Sequence, residues 1–103
     1  MVVLVTGANG QLGQAIKSIS RKYPEIDFVF CSSSDLDITN FENCQAVFST
    51  HQPHFCINTA AYTAVDKAES EPAKAFDINA NGAENLAITC KKFNTILIHI
   101  STD

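Results

Sequence analysis

The chain has 103 residues, with 7 basic and 11 acidic side chains and a net charge of −4. That length holds one small domain and excludes two. The acidic balance speaks against nucleic acid as the main partner, because backbone binding wants a basic stripe and the basic clusters are only the pairs Arg21-Lys22 and Lys91-Lys92.

No apolar run approaches the ~20 residues of a membrane span. The N-terminus lacks the basic-then-apolar signature of a signal peptide, so the chain is expected to begin at Met1, to need no membrane and to stay in the cytoplasm. Cysteines stand at 31, 44, 56 and 90 without any Cys-x-x-Cys spacing. Buried thiols in a reducing compartment are expected, not a zinc ribbon or a redox dithiol.

Val2-Val3-Leu4-Val5-Thr6 is a continuous β-branched run that Gly7 breaks. Continuous apolarity predicts a strand buried on both faces, as in a parallel sheet. From Gln11 the period changes: Leu12, Ile16 and Ile19, spaced 4 and 3 apart, form one stripe of a helix that ends near Lys22, before Pro24. Residues 27–31 (D-F-V-F-C) read as a second strand, followed by a polar loop through Asn40. Thr39 or Asn40 is placed to cap a helix over residues 41–51, with Ala46 and Val47 facing inward and Gln52-Pro53 as its stop.

Residues 55–59 form a third strand, and 64–70 a short helical turn. Pro72 suits the first turn of a long helix reaching Phe93, with a stripe of Ala75, Phe76, Asn79, Gly82, Ala83, Leu86, Ala87 and Cys90. Gly82 inside it costs about 1 kcal/mol against alanine, a hint of close packing. Residues 95–100 (T-I-L-I-H-I) are the fourth strand.

Strands alternating with helices imply an α/β, Rossmann-like parallel sheet with helices on both faces, an incomplete doubly wound fold. The expected strand order is 2-1-3-4, with the first helix on one face and the next two on the other. Such sheets bind ligands at the carboxyl ends of the strands, where the order reverses. Those ends are Thr6-Gly7, Cys31-Ser32, Thr59-Ala60 and Ser101-Thr102.

Between the first strand and the first helix stands Thr6-Gly7-Ala8-Asn9-Gly10-Gln11-Leu12-Gly13. Gly7 can turn tightly out of a strand, Gly10 lets a pyrophosphate approach the backbone, and Gly13 lets the helix sit close on the sheet. The helix N-terminus offers unpaired N–H groups and partial positive charge to that pyrophosphate. A glycine triplet carries this meaning only when it follows a strand and opens a helix, as it does here. A phosphate-binding P-loop is excluded, since Gly13-Gln14 lacks the lysine.

An acidic side chain at the end of the second strand would bind the ribose 2′-hydroxyl and disfavour a 2′-phosphate. Cys31, Ser32 and Ser33 are neutral, and the serines can donate to a phosphate, so NADPH is permitted alongside NADH. No basic residue stands at that strand end in sequence, and Arg21-Lys22 lies at the far end of the first helix.

The glycine loop, Leu36-Asp37-Ile38, the stretch Asn58-Thr59-Ala60-Ala61-Tyr62-Thr63-Ala64-Val65-Asp66-Lys67-Ala68-Glu69 and Ser101-Thr102-Asp103 closely resemble the dTDP-4-dehydrorhamnose reductases of the extended short-chain dehydrogenase/reductase family. The resemblance runs through all of residues 1–103. It implies NAD(P)H-dependent reduction of a 4-keto nucleotide sugar to dTDP-L-rhamnose. By the same resemblance Gly10, Gln11 and Leu12 touch the pyrophosphate, and Asp37 and Ile38 flank the adenine. Ala60, Ala61 and Tyr62 line the nicotinamide-side ribose, Thr102 is the hydroxyl residue of the catalytic triad, and Asp103 faces the substrate sugar. In the family a tyrosine donates the proton and a lysine in Tyr-x-x-x-Lys lowers its pKa. This chain departs there, since Tyr23 is followed four residues later by Asp27 and Tyr62 by Asp66.

Residues 1–103 therefore read as the N-terminal NAD(P)-binding Rossmann portion of a longer protein without its substrate domain, inactive alone. Such a piece is expected to be sticky or partly molten. Gln14-Ala15 stands where some family members place an acidic ligand, which puts a Mg2+ site in doubt, and no other metal site is expected. Expected partners are the dinucleotide and, for the full-length protein, the dTDP-sugar, with a homodimer as a possible assembly. Two other readings stand beside this one: a non-catalytic regulatory subunit resembling the methionine adenosyltransferase β subunit, and another nucleotide-sugar epimerase or dehydratase.

Three further features have plainer readings. His51-Gln52-Pro53-His54 is a solvated loop because no third ligand is near. His99 is a core or sheet-face histidine rather than a catalytic one, and Asp66, Lys67 and Glu69 are the charged side of an exposed short helix.

Overall fold

A computed structural model describes residues 1–60 and 78–100, the side chains of 78 and 79 excepted. Among the described residues four parallel strands form one sheet: β1 (Val2–Thr6), β2 (Asp27–Cys31), β3 (Phe55–Asn58) and β4 (Ile96–His99), in the order β2-β1-β3-β4. That is the order expected from the alternation of strands and helices. Helix α1 (Gln11–Ser20) joins β1 to β2, and α2 (Phe41–His51) joins β2 to β3. Before β4, a π-helical stretch (Ile78–Gly82) runs into α3 (Ala83–Lys92), and Gly82 keeps helical backbone angles where the two meet.

Local chemistry explains the helix ends. Asn40, not Thr39, caps α2: its side-chain oxygen accepts from the Asn43 N–H at 3.0 Å, filling one of the donors that the first turn leaves unpaired. At the other end Gln52 turns left-handed, with φ at 50°, and its N–H closes on Phe48 O at 2.8 Å. His54 belongs to the sheet's margin, its Nδ1 accepting from the Val2 N–H at 3.0 Å. The expected turn over 64–70, the start of the long helix at Pro72, and Ala75 and Phe76 of its stripe lie outside the described residues, as do Asp66, Lys67, Glu69 and the Asn79 side chain.

Strand register sorts the apolar residues onto two faces. Val29, Leu4, Cys56 and Leu97 align across the sheet and meet Cys44 and Phe48 of α2 and Leu86 and Cys90 of α3. The rings of Phe48 and Phe93 lie 6.0 Å apart within this core. On the opposite face Phe28, Val3, Phe55 and Ile96 align, as do Phe30, Val5, Ile57 and Ile98. Helix α1 lies on this side, its Lys17 ammonium 5.8 Å from the Phe30 ring centroid. It shelters Val3 and Val5, whereas Ile96 and Ile98 remain 58% and 42% exposed.

Three inward assignments from the sequence are corrected. In α2, Ala46 is exposed and Cys44 and Phe48 are the buried pair, with Val47 at the margin. In α3, Ala87 faces out and Thr89 is buried instead. Thr89 tolerates burial because its hydroxyl donates to Asn85 O at 2.7 Å and accepts from Gln45 Nε2 at 2.9 Å, tying α3 to α2. In α1 the covered line is Gly13, Ile16 and Ser20, with Gly13 the most buried, so Ile19 falls off its edge and is 51% exposed.

All four cysteines are free and buried. Burial, then the Asp35 charge, pushes the Cys31 thiol up to about 11, and burial, then the Asp37 charge, does the same to Cys44. A hydrogen bond shared with Cys90 pushes Cys56 above the usual thiol value and Cys90 below it.

A methyl group at Gly82 would meet Ile38 Cδ1 and lie 2.6 Å from Ile38 Cγ1. Ile38 is itself buried, so it cannot swing away. Overpacking of about 1–3 kcal/mol outweighs the ~1 kcal/mol that alanine gains by helix propensity. Gly82→Ala is therefore expected to lower the urea midpoint, and Gly82→Ala with Ile38→Ala to cost less than the sum of the two single changes. Strict additivity would contradict the contact. The exposed Ile96 and Ile98 are expected to drive self-association, which Ile96→Thr with Ile98→Thr should reduce in sedimentation runs; unchanged association would place the sticky surface elsewhere.

Candidate functional site

The ends of the strands are bound together by buried polar groups. Thr6 Oγ1 donates to Asn58 Oδ1 at 2.6 Å, and the same oxygen accepts from the Ala60 N–H at 3.1 Å. With that oxygen occupied by two donors, Asn58 Nδ2 donates to His99 Nδ1, 3.0 Å away, which makes this ring nitrogen the acceptor. Thr59 Oγ1 donates to Thr6 O at 2.5 Å and lies 3.2 Å from Gly7 O. Asn58 and Thr59 are almost wholly buried. Sequence reasoning missed this network; its only trace was an asparagine and a threonine ending an otherwise apolar strand.

On this base the chain leaves β1 and enters α1. Gly7 has φ at +65°, and a side chain there would stand 2.7 Å from Thr59 Oγ1 and 2.9 Å from Ala60 N. The Gly10 N–H closes the turn on Gly7 O at 3.0 Å, and the Ala8 N–H reaches Cys31 O at 3.0 Å, tying the loop to the end of β2. A methyl at Gly13 would be 2.5 Å from Gly7 O and 2.7 Å from Ala8 Cα, so α1 is seated directly on the loop. Gly10 is the N-cap of α1 and has no side chain with which to accept from the first turn. The turn therefore begins with N–H groups that neither helix carbonyls nor a cap satisfy, at the positive end of the helix dipole. Gln11 and Leu12 are its first two residues.

At the end of β2 the chain folds back on itself. Asp35 Oδ2 accepts from the Ser32 N–H at 3.0 Å and from the Ser32 hydroxyl at 3.1 Å. Asp37 Oδ1 accepts from the Thr39 N–H at 3.0 Å and the Thr39 hydroxyl at 2.6 Å. The side chain of Ile38 is in the core, and its carbonyl accepts from Asn85 Nδ2 at 2.9 Å. A cavity of about 530 Å³ runs between the glycine loop, α1 and β2, with Asn9, Lys17, Arg21, Phe30, Ser32 and Asp35 in its wall. The strand-end residues themselves are neutral, as read from the sequence, but Asp35 three residues on, Lys17 of α1 and Arg21 at its C-cap line the same cavity.

The structure thus brings Gly7, Gly10, Gln11, Leu12 and Gly13 together with Ala60 and sets Ser32 at the neighbouring strand end, whereas Asp37 lies six residues beyond it, hydrogen-bonded to Thr39 and Asn43 at the entry to α2. Ala61, Tyr62, Thr102 and Asp103 lie outside the described residues. Among the described residues no cluster of three or more metal-ligating side chains occurs, and no helix is long and apolar enough to cross a membrane.

The family model described as the RmlD substrate binding domain matches residues 1–103. The chain belongs to that family. A dTDP-4-dehydrorhamnose reductase from Aggregatibacter actinomycetemcomitans is 36% identical over 101 residues, which are 98% of this chain and 34% of that protein. One from Streptomyces griseus is 38% identical over 97% of this chain and 33% of its own length. Among solved structures, a dTDP-4-dehydrorhamnose reductase from Bacillus anthracis in complex with NADP superposes with a TM-score of 0.84 at 40% identity, covering 97% of this chain and 36% of that one. The chain spans about a third of the length of the relatives it matches. Among the described residues, this member of the RmlD family has four parallel strands in the order β2-β1-β3-β4 with helices on both faces.

Asn58→Ala is expected to strand the Thr6 hydroxyl and the Ala60 N–H, at about 1–3 kcal/mol, read from urea unfolding. A neutral outcome would mean that the strand ends are held by other contacts.

Proposed function

We propose that residues 1–103 are the cofactor-binding part of an NAD(P)H-dependent reductase that converts dTDP-4-dehydrorhamnose to dTDP-L-rhamnose, with its substrate domain lying beyond them. The observation that carries this reading is the glycine-lined passage from β1 to α1, whose first-turn N–H groups have no cap. It stands where strand order reverses between β1 and β3, the position at which open α/β sheets take their ligands. Its donor set fits the bridging phosphates of a dinucleotide: backbone N–H groups, a helix N-terminus and a glycine at the point of closest approach. The 40% identity to a reductase in complex with NADP supports the same choice.

In this reading Gly10, Gln11 and Leu12 hold the pyrophosphate, and Gly7 and Gly13 set the loop's shape. Asp37 accepts from the adenine amino group, while Ile38 acts from the core by fixing the backbone of that loop. Ala60, with Ala61 and Tyr62, lines the nicotinamide-side ribose. The hydroxyl of Thr102 orients and polarises the ketone, and Asp103 faces the sugar. The reduced nicotinamide supplies the hydride when bound. The proton donor belongs to the part of the protein beyond residues 1–103, since neither Tyr23 nor Tyr62 is followed by a lysine at the required spacing.

Calorimetric titration with NADPH tests the reading. Saturable binding is expected, weakened at least about tenfold, equivalent to ~1.4 kcal/mol, by Gly10→Val with an unchanged thermal melt. Absence of binding at millimolar cofactor, or equal affinity in the variant, would overturn it.

A further inference from the structure

The cavity beside the glycine loop holds two cations that the pyrophosphate site does not use. Lys17 in the last turn of α1 and Arg21 at its C-cap are four residues apart, hence on one side of the helix. Lys17 leans its ammonium toward the Phe30 ring, against the sheet. Among the described residues neither cation is ion-paired. The same cavity reaches Ser32 at the end of β2, the place from which a dinucleotide's ribose 2′ position is read. Ser32 cannot serve freely as a phosphate donor there, because its hydroxyl already donates to Asp35.

We propose that Lys17 and Arg21 form the subsite for the 2′-phosphate that separates NADPH from NADH, and that Asp35 on its rim opposes them. The proposal rests on the dinucleotide reading above and assigns the selectivity within it. A phosphate monoester carries close to two negative charges. Two cations against one carboxylate leave the pocket net positive, and a guanidinium can engage two phosphate oxygens at once. The arrangement gives a preference for the phosphorylated ribose that stays moderate, since the carboxylate can instead accept from a free 2′-hydroxyl. Selectivity thus comes from the helix, not from the serines at the strand end.

The subsite can be probed without the nicotinamide half of the cofactor. Calorimetric titrations would compare adenosine 2′,5′-bisphosphate with 5′-AMP on the protein and on variants at these exposed positions, with thermal melts confirming that each variant folds. The protein is expected to bind the bisphosphate more tightly. Lys17→Gln and Arg21→Gln are each expected to weaken the bisphosphate about tenfold and to leave 5′-AMP within about twofold. Asp35→Asn, which keeps an oxygen for Ser32, should strengthen the bisphosphate alone. Equal binding of the two nucleotides by the unchanged protein, or a ratio that neither cation variant moves, would overturn this subsite while leaving the dinucleotide reading standing. Failure of both nucleotides to bind would overturn the dinucleotide reading and the subsite with it.

Discussion

Helix α1 can begin where it does only because two side chains are missing. Gly7 bends back with a positive φ against Thr59, and Gly13 presses on the carbonyl of Gly7 and on Ala8. Any β-carbon at either place meets backbone or a buried hydroxyl, atoms that cannot step aside. The handover from strand to helix is therefore tight, and it leaves the first turn of α1 without a cap beside the ends of β1 and β3. The buried network of Thr6, Asn58 and Thr59 is the other half of this constraint, since it holds the surface against which Gly7 turns. Fold and candidate site are in this sense one structure: the same close packing that seats the helix exposes the donors.

Electrostatics then graduates the site along its length. The loop offers backbone donors and a helix dipole, which favour any phosphate and select none. The wall of the neighbouring cavity also carries fixed charges of both signs, Lys17 and Arg21 together with Asp35. In the proposed subsite, selectivity for a second phosphate would come from a different element than affinity for the bridging ones.

Most of the architecture was legible in the sequence. The β-branched runs, the change of period at Gln11, a cap at Thr39 or Asn40 and the alternation of strand with helix led to the observed strand order, because each is local chemistry repeated along the chain. Facing was less legible. Ala46 and Ala87 were placed inward on apolarity alone, but small side chains fit either surface, and Thr89 found partners that made its burial acceptable. Ile96 and Ile98 were read only as part of the fourth strand; they stay exposed because α1 covers only the β2-β1 side of their face. The charges at the β2 end were the largest omission. Asp35 reaches back through a turn, and Lys17 arrives from a helix on the other side of the loop, so no linear motif joins them.

The central claim is that phosphates rest on the amides at the start of α1. Two-dimensional nitrogen–proton spectra of the labelled protein, recorded as NADPH is added, test it most directly. The account predicts that the backbone amide signals of Gly10, Gln11 and Leu12 move together and saturate. Movement confined to other parts of the chain, with those three signals still, would contradict it.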